Sequence, residues 1–173
     1  FQDMSTTKKG NFSEKILDEY LISIGIIPYA PVISKAHPFD RLCATSDKKK
    51  IFVAECKGKA RRTYYPDTGI NEKHYLDYIG VREAHNIDVW LFFVDEYVKK
   101  IYGNLLSELD KPREIEHKGK TLKYPLVQPD YKGTVIRYFP LVAMVDIFDL
   151  NDDQSGELKQ LSTRNYEYEE VIF

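Results

Sequence analysis

The segment IFVAECKGK, residues 51–59, decides how this chain folds. In an extended strand successive side chains point to opposite faces. Ile51, Val53, Glu55, Lys57 and Lys59 therefore share one face, and Phe52, Ala54 and Cys56 share the other. Both faces begin apolar, so the strand starts inside a core. Glu55 and Lys57 then follow on the face that Ile51 and Val53 mark as buried. A charge in that position is costly unless a partner or a metal ion offsets it.

Residues 38–45 read as a second strand, joined to the first by the polar turn Ser46-Asp47-Lys48-Lys49. With Asp47 and Lys48 as a two-residue loop, Ser46 pairs with Lys49 and all paired positions add to 95. Asp40 then stands opposite Glu55, with Cβ atoms roughly 4.5–5.5 Å apart. A slip of one residue would turn Asp40 to the other face. Two carboxylates so placed repel one another and raise a pKa. A divalent cation removes that penalty, and oxygen donors of this kind suit Mg²⁺ or Mn²⁺. Lys57 lies two residues on, placed to orient or help deprotonate a water and to neutralise charge growing on a phosphoryl group. Phosphodiester hydrolysis needs these parts. The competing account is a structural charge cluster, an acid pair relieved by Lys57.

Working outward, residues 11–24 read as an amphipathic helix. Ile16, Leu17, Tyr20, Leu21 and Ile24 recur at helical spacing, and Gly25 stands at a helix stop. Residues 26–32 are apolar but broken by Pro28 and Pro31, as an edge strand allows. Residues 71–85 read as a second helix. The run IDVWLFFV, 87–94, is apolar on both faces, as expected of a strand covered on both sides. Helix, strands, helix, strand in that order suggests a sheet with helices on both sides. Beyond it, 98–102 and 134–139 read as strands, 104–109 and 156–161 as short helices, and 141–150 as either. The polar, proline-bounded segment 112–130 reads as an arm, hairpin or flap.

At Pro38-Phe39-Asp40, with one residue inserted between Pro and Asp, and at Glu55-Cys56-Lys57, the chain resembles the PD-(D/E)XK nuclease superfamily. The resemblance covers about residues 11–95, and within the superfamily Holliday-junction resolvases and restriction-enzyme nuclease domains look nearest. It implies a restriction-endonuclease-like fold: three α/β/α layers around a central mixed β-sheet. It also implies that Asp40 and Glu55 bind Mg²⁺, with the Cys56 carbonyl as a further ligand, and that Lys57 assists the water. Relatives often complete the site with an acid on the first helix, which makes Glu14 the candidate. A second reading of Glu14 is a first-turn acid in a helix capped by Asn11. Relatives also use a polar residue from the helix after this strand. Lys73 and Tyr78 are the candidates, set against a solvated lysine and a packed tyrosine.

The formal net charge is -2, so a phosphate-binding role requires cations concentrated locally. Lys48, Lys49, Lys50, Lys57, Lys59, Arg61 and Arg62 fall in one short stretch, while acid gathers at Asp146, Asp149, Asp152, Asp153, Glu167, Glu169 and Glu170. Lys59, Arg61, Arg62 and Lys73 are the candidate nucleic-acid contacts. Tyr64 and Tyr65 add rings for stacking a base, unless 61–65 is an ordinary exposed loop. Cys43 and Cys56 are read as buried small hydrophobes too far apart to bond. His37, His74, His85 and His117 lack ligand spacing, so no zinc site is expected.

The 173 residues suit a single domain, with 11–95 as a nuclease-like core and 96–173 as additions of unassigned role. No apolar run reaches membrane-spanning length. The opening FQDMSTTKKG is polar and lacks a signal-peptide core, so a cytoplasmic protein is expected. The functional expectation is a Mg²⁺-dependent endonuclease acting on DNA, with a homodimer able to supply further binding surface. The alternative is a catalytically silent module of the same fold that binds DNA or a partner protein in a restriction, repair or phage-defence complex.

Overall fold

The computed structural model describes residues 5–32 and 37–162. The acidic tail at Glu167, Glu169 and Glu170 lies outside the described residues. In chain order the elements are α1 (Ser5–Ser23), β1 (Ile27–Tyr29), β2 (Arg41–Ala44), β3 (Ile51–Lys57), β4 (Asp67–Asn71), α2 (Glu72–His85), β5 (Asp88–Asp95) and β6 (Lys100–Leu105). They continue as α3 (Leu106–Leu109), β7 (Arg113–His117), β8 (Lys120–Tyr124), β9 (Leu126–Pro129), β10 (Val135–Pro140), a 3₁₀ turn (Leu141–Ala143), β11 (Val145–Asp149) and α4 (Asp152–Leu161).

The central sheet has six strands in the order β1-β2-β3-β5-β6-β11. Only β3 and β5 run parallel; the other neighbours are antiparallel. The sheet is therefore mixed, and both faces are covered. Ile16, Leu17 and Leu21 of α1 and Leu158 of α4 pack with Cys43, Ala54, Cys56, Phe92 and Val94 on one face. Tyr78 of α2, Leu106 and Leu109 of α3, and Phe139 pack with Val53, Leu91 and Phe93 on the other. β5 faces apolar groups on both sides, which explains its unbroken hydrophobic sequence. The α/β architecture with helices on both sides of a mixed sheet is the one the sequence order implies. Residues beyond 95 contribute directly to this sheet through β6 and β11. A second sheet, β4-β10-β9, and the hairpin β7-β8 lie beside it.

The hairpin register agrees with the one deduced from the sequence. Arg41 pairs with Ala54, Leu42 with Val53, Cys43 with Phe52 and Ala44 with Ile51. The turn differs. Thr45 N donates to the Lys50 carbonyl at 3.0 Å and Lys48 N to the Thr45 carbonyl at 2.8 Å, so the loop spans four residues, 46–49, instead of two. Asp47 Oδ1 accepts from Thr45 Oγ1 and Lys49 N, and Lys48 adopts a positive φ of 58°. The loop widens by one residue on each side, so the register is unchanged.

Three other expectations are corrected. α1 extends back to Ser5, which leaves Asn11 inside the helix and removes its role as a cap for Glu14. Residues 67–71 form β4, a strand absent from the sequence reading, because DTGIN carries little β-propensity and is held by pairing with β10. α4 starts at Asp152, where Asn151 and Gln154 form a reciprocal capping box. The segment 112–130 resolves into β7, β8 and β9, and 141–150 into the 3₁₀ turn and β11.

Candidate active site

β3 begins at the surface, with Ile51 60% exposed, and not inside a core as its apolar opening suggests; burial starts at Val53 and runs through Glu55, and the hairpin register brings Asp40 beside Glu55. Asp40 N donates to Glu55 Oε2 at 3.1 Å, and Asp40 Oδ2 accepts from Cys56 N at 2.8 Å. Glu55 is 3% exposed. Its Oε1 accepts from both Lys57 Nζ and the Tyr78 hydroxyl. Lys57 also lies over the Tyr78 ring, 5.7 Å from its centroid. Tyr78 is thus packed, as one reading of it required, and bonded to the site, as the other did.

The electrostatics follow from burial. Desolvation raises the Glu55 pKa; Lys57 opposes the shift and the Asp40 charge adds to it. Burial alone would lower Lys57, but the Glu55 charge and hydrogen bond outweigh it and hold the ammonium protonated. Burial, then Glu55, pushes the Tyr78 phenol far up, so it stays a neutral hydroxyl able to donate to Glu55. His74 is lowered by burial and by Lys57. His37, Asp40, Glu55, Lys57, His74, Asp77 and Tyr78 line one cleft of about 190 Å³.

Glu14 projects from α1 to the same end of the hairpin. It is held by Arg41, whose Nη2 lies 3.0 Å from Glu14 Oε2 and 2.9 Å from Asp18 Oδ2, while its Nη1 donates to the Asp40 carbonyl at 2.8 Å. Burial and then the Asp40 charge raise the Glu14 pKa, and Arg41 opposes them. Asp40, Glu55, Lys57 and Glu14 are thus in electrostatic contact. The sequence reading passed over Arg41 and Asp18. The signal was available: Glu14 and Asp18 are four apart on one helix face, and the cation beside Asp40 can bridge both.

The candidate nucleic-acid contacts do not converge. Lys59 Nζ donates to the Gly69 carbonyl at 2.7 Å and fastens β4. Arg61 is buried, and its N–H donates to Asp95. Arg62 pairs with buried Asp67 and lies between the rings of Tyr65 and Tyr138. Lys73 alone of the four is exposed, on the first turn of α2 next to His74. Cys56 buries its thiol in the core on the α1 side, where desolvation raises its pKa.

The donor set fits a hard divalent cation. Among the described residues no group of three or more His, Cys, Asp or Glu gathers as a metal centre. Mg²⁺, however, ordinarily takes one or two protein carboxylates and fills its sphere with water and phosphate oxygen. Asp40 and Glu55 supply that pair, with the Cys56 carbonyl in the same segment.

No protein-family model matches the chain, and no curated protein matches it. Among solved structures it is similar to Hjc, a Holliday junction resolvase from the archaeal hyperthermophile Archaeoglobus fulgidus. The TM-score is 0.47 and the identity 12%, over 66% of this chain and 86% of that one. Among the described residues no helix is long and apolar enough to cross a membrane.

Proposed function

We propose that the chain is a Mg²⁺-dependent endonuclease that hydrolyses DNA phosphodiester bonds. The observation that carries this reading is the meeting of Asp40, Glu55 and Lys57 in the lining of one cleft, two carboxylates and an ammonium from β3 and the residue just before β2. Asp40 and Glu55 hold the cation, with the Cys56 carbonyl as a further ligand. The cation, when bound, lowers the pKa of a coordinated water and polarises the phosphoryl oxygen. Lys57 orients the attacking water and offsets charge developing on the phosphate. Tyr78 fixes the Glu55 rotamer, and Arg41 fixes the Asp40 backbone. Glu14, paired with Arg41, adds negative charge beside Asp40 from α1. DNA as substrate rests on the resemblance to nucleases; a homodimer would bring a second set of local cations to the substrate.

Plasmid incubated with Mg²⁺ or Mn²⁺ is expected to be nicked or linearised. Asp40→Ala, Glu55→Ala and Lys57→Ala are each expected to lower the rate by at least about a hundredfold. No cleavage of plasmid, junction or nicked substrates, or cleavage unaffected by Asp40→Ala, would sink the reading.

One observation favours a silent module instead: both Glu55 oxygens already have donors within the chain. In that case Mn²⁺ titration by calorimetry shows no uptake that depends on Glu55, and DNA or partner binding persists without hydrolysis.

A further inference from the structure

The loop that follows Lys59 is held in place by a buried network. The Arg62 guanidinium lies 4.0 Å from the Tyr65 ring centroid and 3.8 Å from that of Tyr138. Its Nε and Nη2 each donate to the Asp67 carboxylate at 2.5 Å. Asp67 is fully buried and also accepts from the Tyr124 hydroxyl at 2.6 Å. His117, at the end of β7, lies within hydrogen-bond distance, 3.0 Å, of the Tyr64 carbonyl. Both ends of the β7-β8 hairpin thus grip this loop.

Against that rigid background Tyr64 is 67% exposed and Tyr65 42%. The packing accounts for Arg62 and Tyr65; it gives no reason for the Tyr64 ring. Beside Tyr64 is the hairpin tip. Lys118 and Gly119, with φ of 49° and 74°, make the two-residue turn. His117 pairs with Lys120, so Lys120 stands on the hairpin face that His117 turns to Tyr64. Lys118 and Lys120 are exposed, and among the described residues neither is in an ion pair, whereas Lys123 lies 3.3 Å from Glu114.

We infer that Tyr64, Lys118 and Lys120 form a platform for single-stranded nucleic acid. The ring stacks on an unpaired base, whose π-face is open, and the two ammonium groups take neighbouring phosphates. An interior paired base has both faces covered by its neighbours, so a duplex offers this ring only its two terminal pairs. The platform and the cleft are joined through the chain. β4 follows the loop, and its last residue, Asn71, caps α2, which carries His74 and Tyr78 into the cleft. The inference deepens the nuclease reading and rests on it for the polymer that reaches the cleft.

The test uses the full chain, in EDTA, and fluorescence anisotropy with a labelled thymidine oligomer of about 20 nucleotides and a blunt duplex of equal length. Tyr64→Ala is expected to weaken single-strand binding about fivefold or more and duplex binding less than about twofold, and Tyr64→Phe to keep both. The double change Lys118→Ala with Lys120→Ala is expected to reduce the salt slope on single strands by about 1.4. Unchanged single-strand affinity in Tyr64→Ala, or an equal loss on duplex, overturns the platform. Because no metal is present, the two readings fail separately. Tyr64-dependent binding without any cleavage supports the platform and removes the nuclease. Cleavage with Tyr64-independent binding does the reverse.

Discussion

Glu55 shows how a single buried carboxylate is made tolerable. Burial disfavours its charge and keeps its pKa raised, and three donors offset part of that cost: Asp40 N on Oε2, and Lys57 Nζ and the Tyr78 hydroxyl on Oε1. Asp40 directly precedes β2, Lys57 ends β3 and Tyr78 lies midway along α2, so Glu55 also ties these three parts of the chain together. Hydrogen bonds to a buried charge are worth more than neutral ones. Tyr78→Phe is expected to lower stability by about 1.5–3 kcal/mol, read as a shift in urea midpoint at constant m-value. A midpoint equal to wild type would mean that Lys57 and Asp40 satisfy the carboxylate alone.

At the scale of elements, the sheet depends on close approach as much as on apolar burial. Gly103 of β6 pairs with Phe92 on one side and Val145 on the other. A methyl group there would lie 2.0 Å from the Leu91 carbonyl oxygen, which is backbone and has nowhere to move. Gly103→Ala is expected to cost about 1–3 kcal/mol in a urea titration, and a neutral result would show that β6 can slide away from β5. The hairpin β2-β3 illustrates the opposite case. Its register was legible because the polar turn 46–49 centres on Asp47 and Lys48, and that centre sets which residues pair. Its turn was not legible to the residue, since a two-residue and a four-residue loop centred on the same pair share one register. β4 was hidden for a different reason. Its five residues are buried, but only pairing with β10, some seventy positions away, makes them a strand.

For the whole molecule, the proposed metal site joins the hairpin, α2 and α1, so occupancy couples to global stability. A ligand that binds only the folded state stabilises it by mass action, about 2.7 kcal/mol at a hundredfold excess over Kd. Mg²⁺ or Mn²⁺ is expected to raise the thermal midpoint of the wild-type chain and to leave that of Asp40→Ala unmoved; equal shifts would place the cation elsewhere. Sequence by itself determined the central strands, the hairpin register that brings Asp40 to Glu55 and the side of the sheet on which Lys57 falls. Strand alternation and hairpin register are local rules, and those residues lie close together in the chain. Tertiary structure alone decided the rest. It placed Arg41 between Glu14, Asp18 and the Asp40 backbone, and it turned Arg61 and Arg62 inward as fastenings for the fold. It left Tyr64 exposed beside Lys118 and Lys120. Those outcomes depend on which long-range partner each charge meets, and on buried charge seeking the nearest counter-charge wherever the fold brings one.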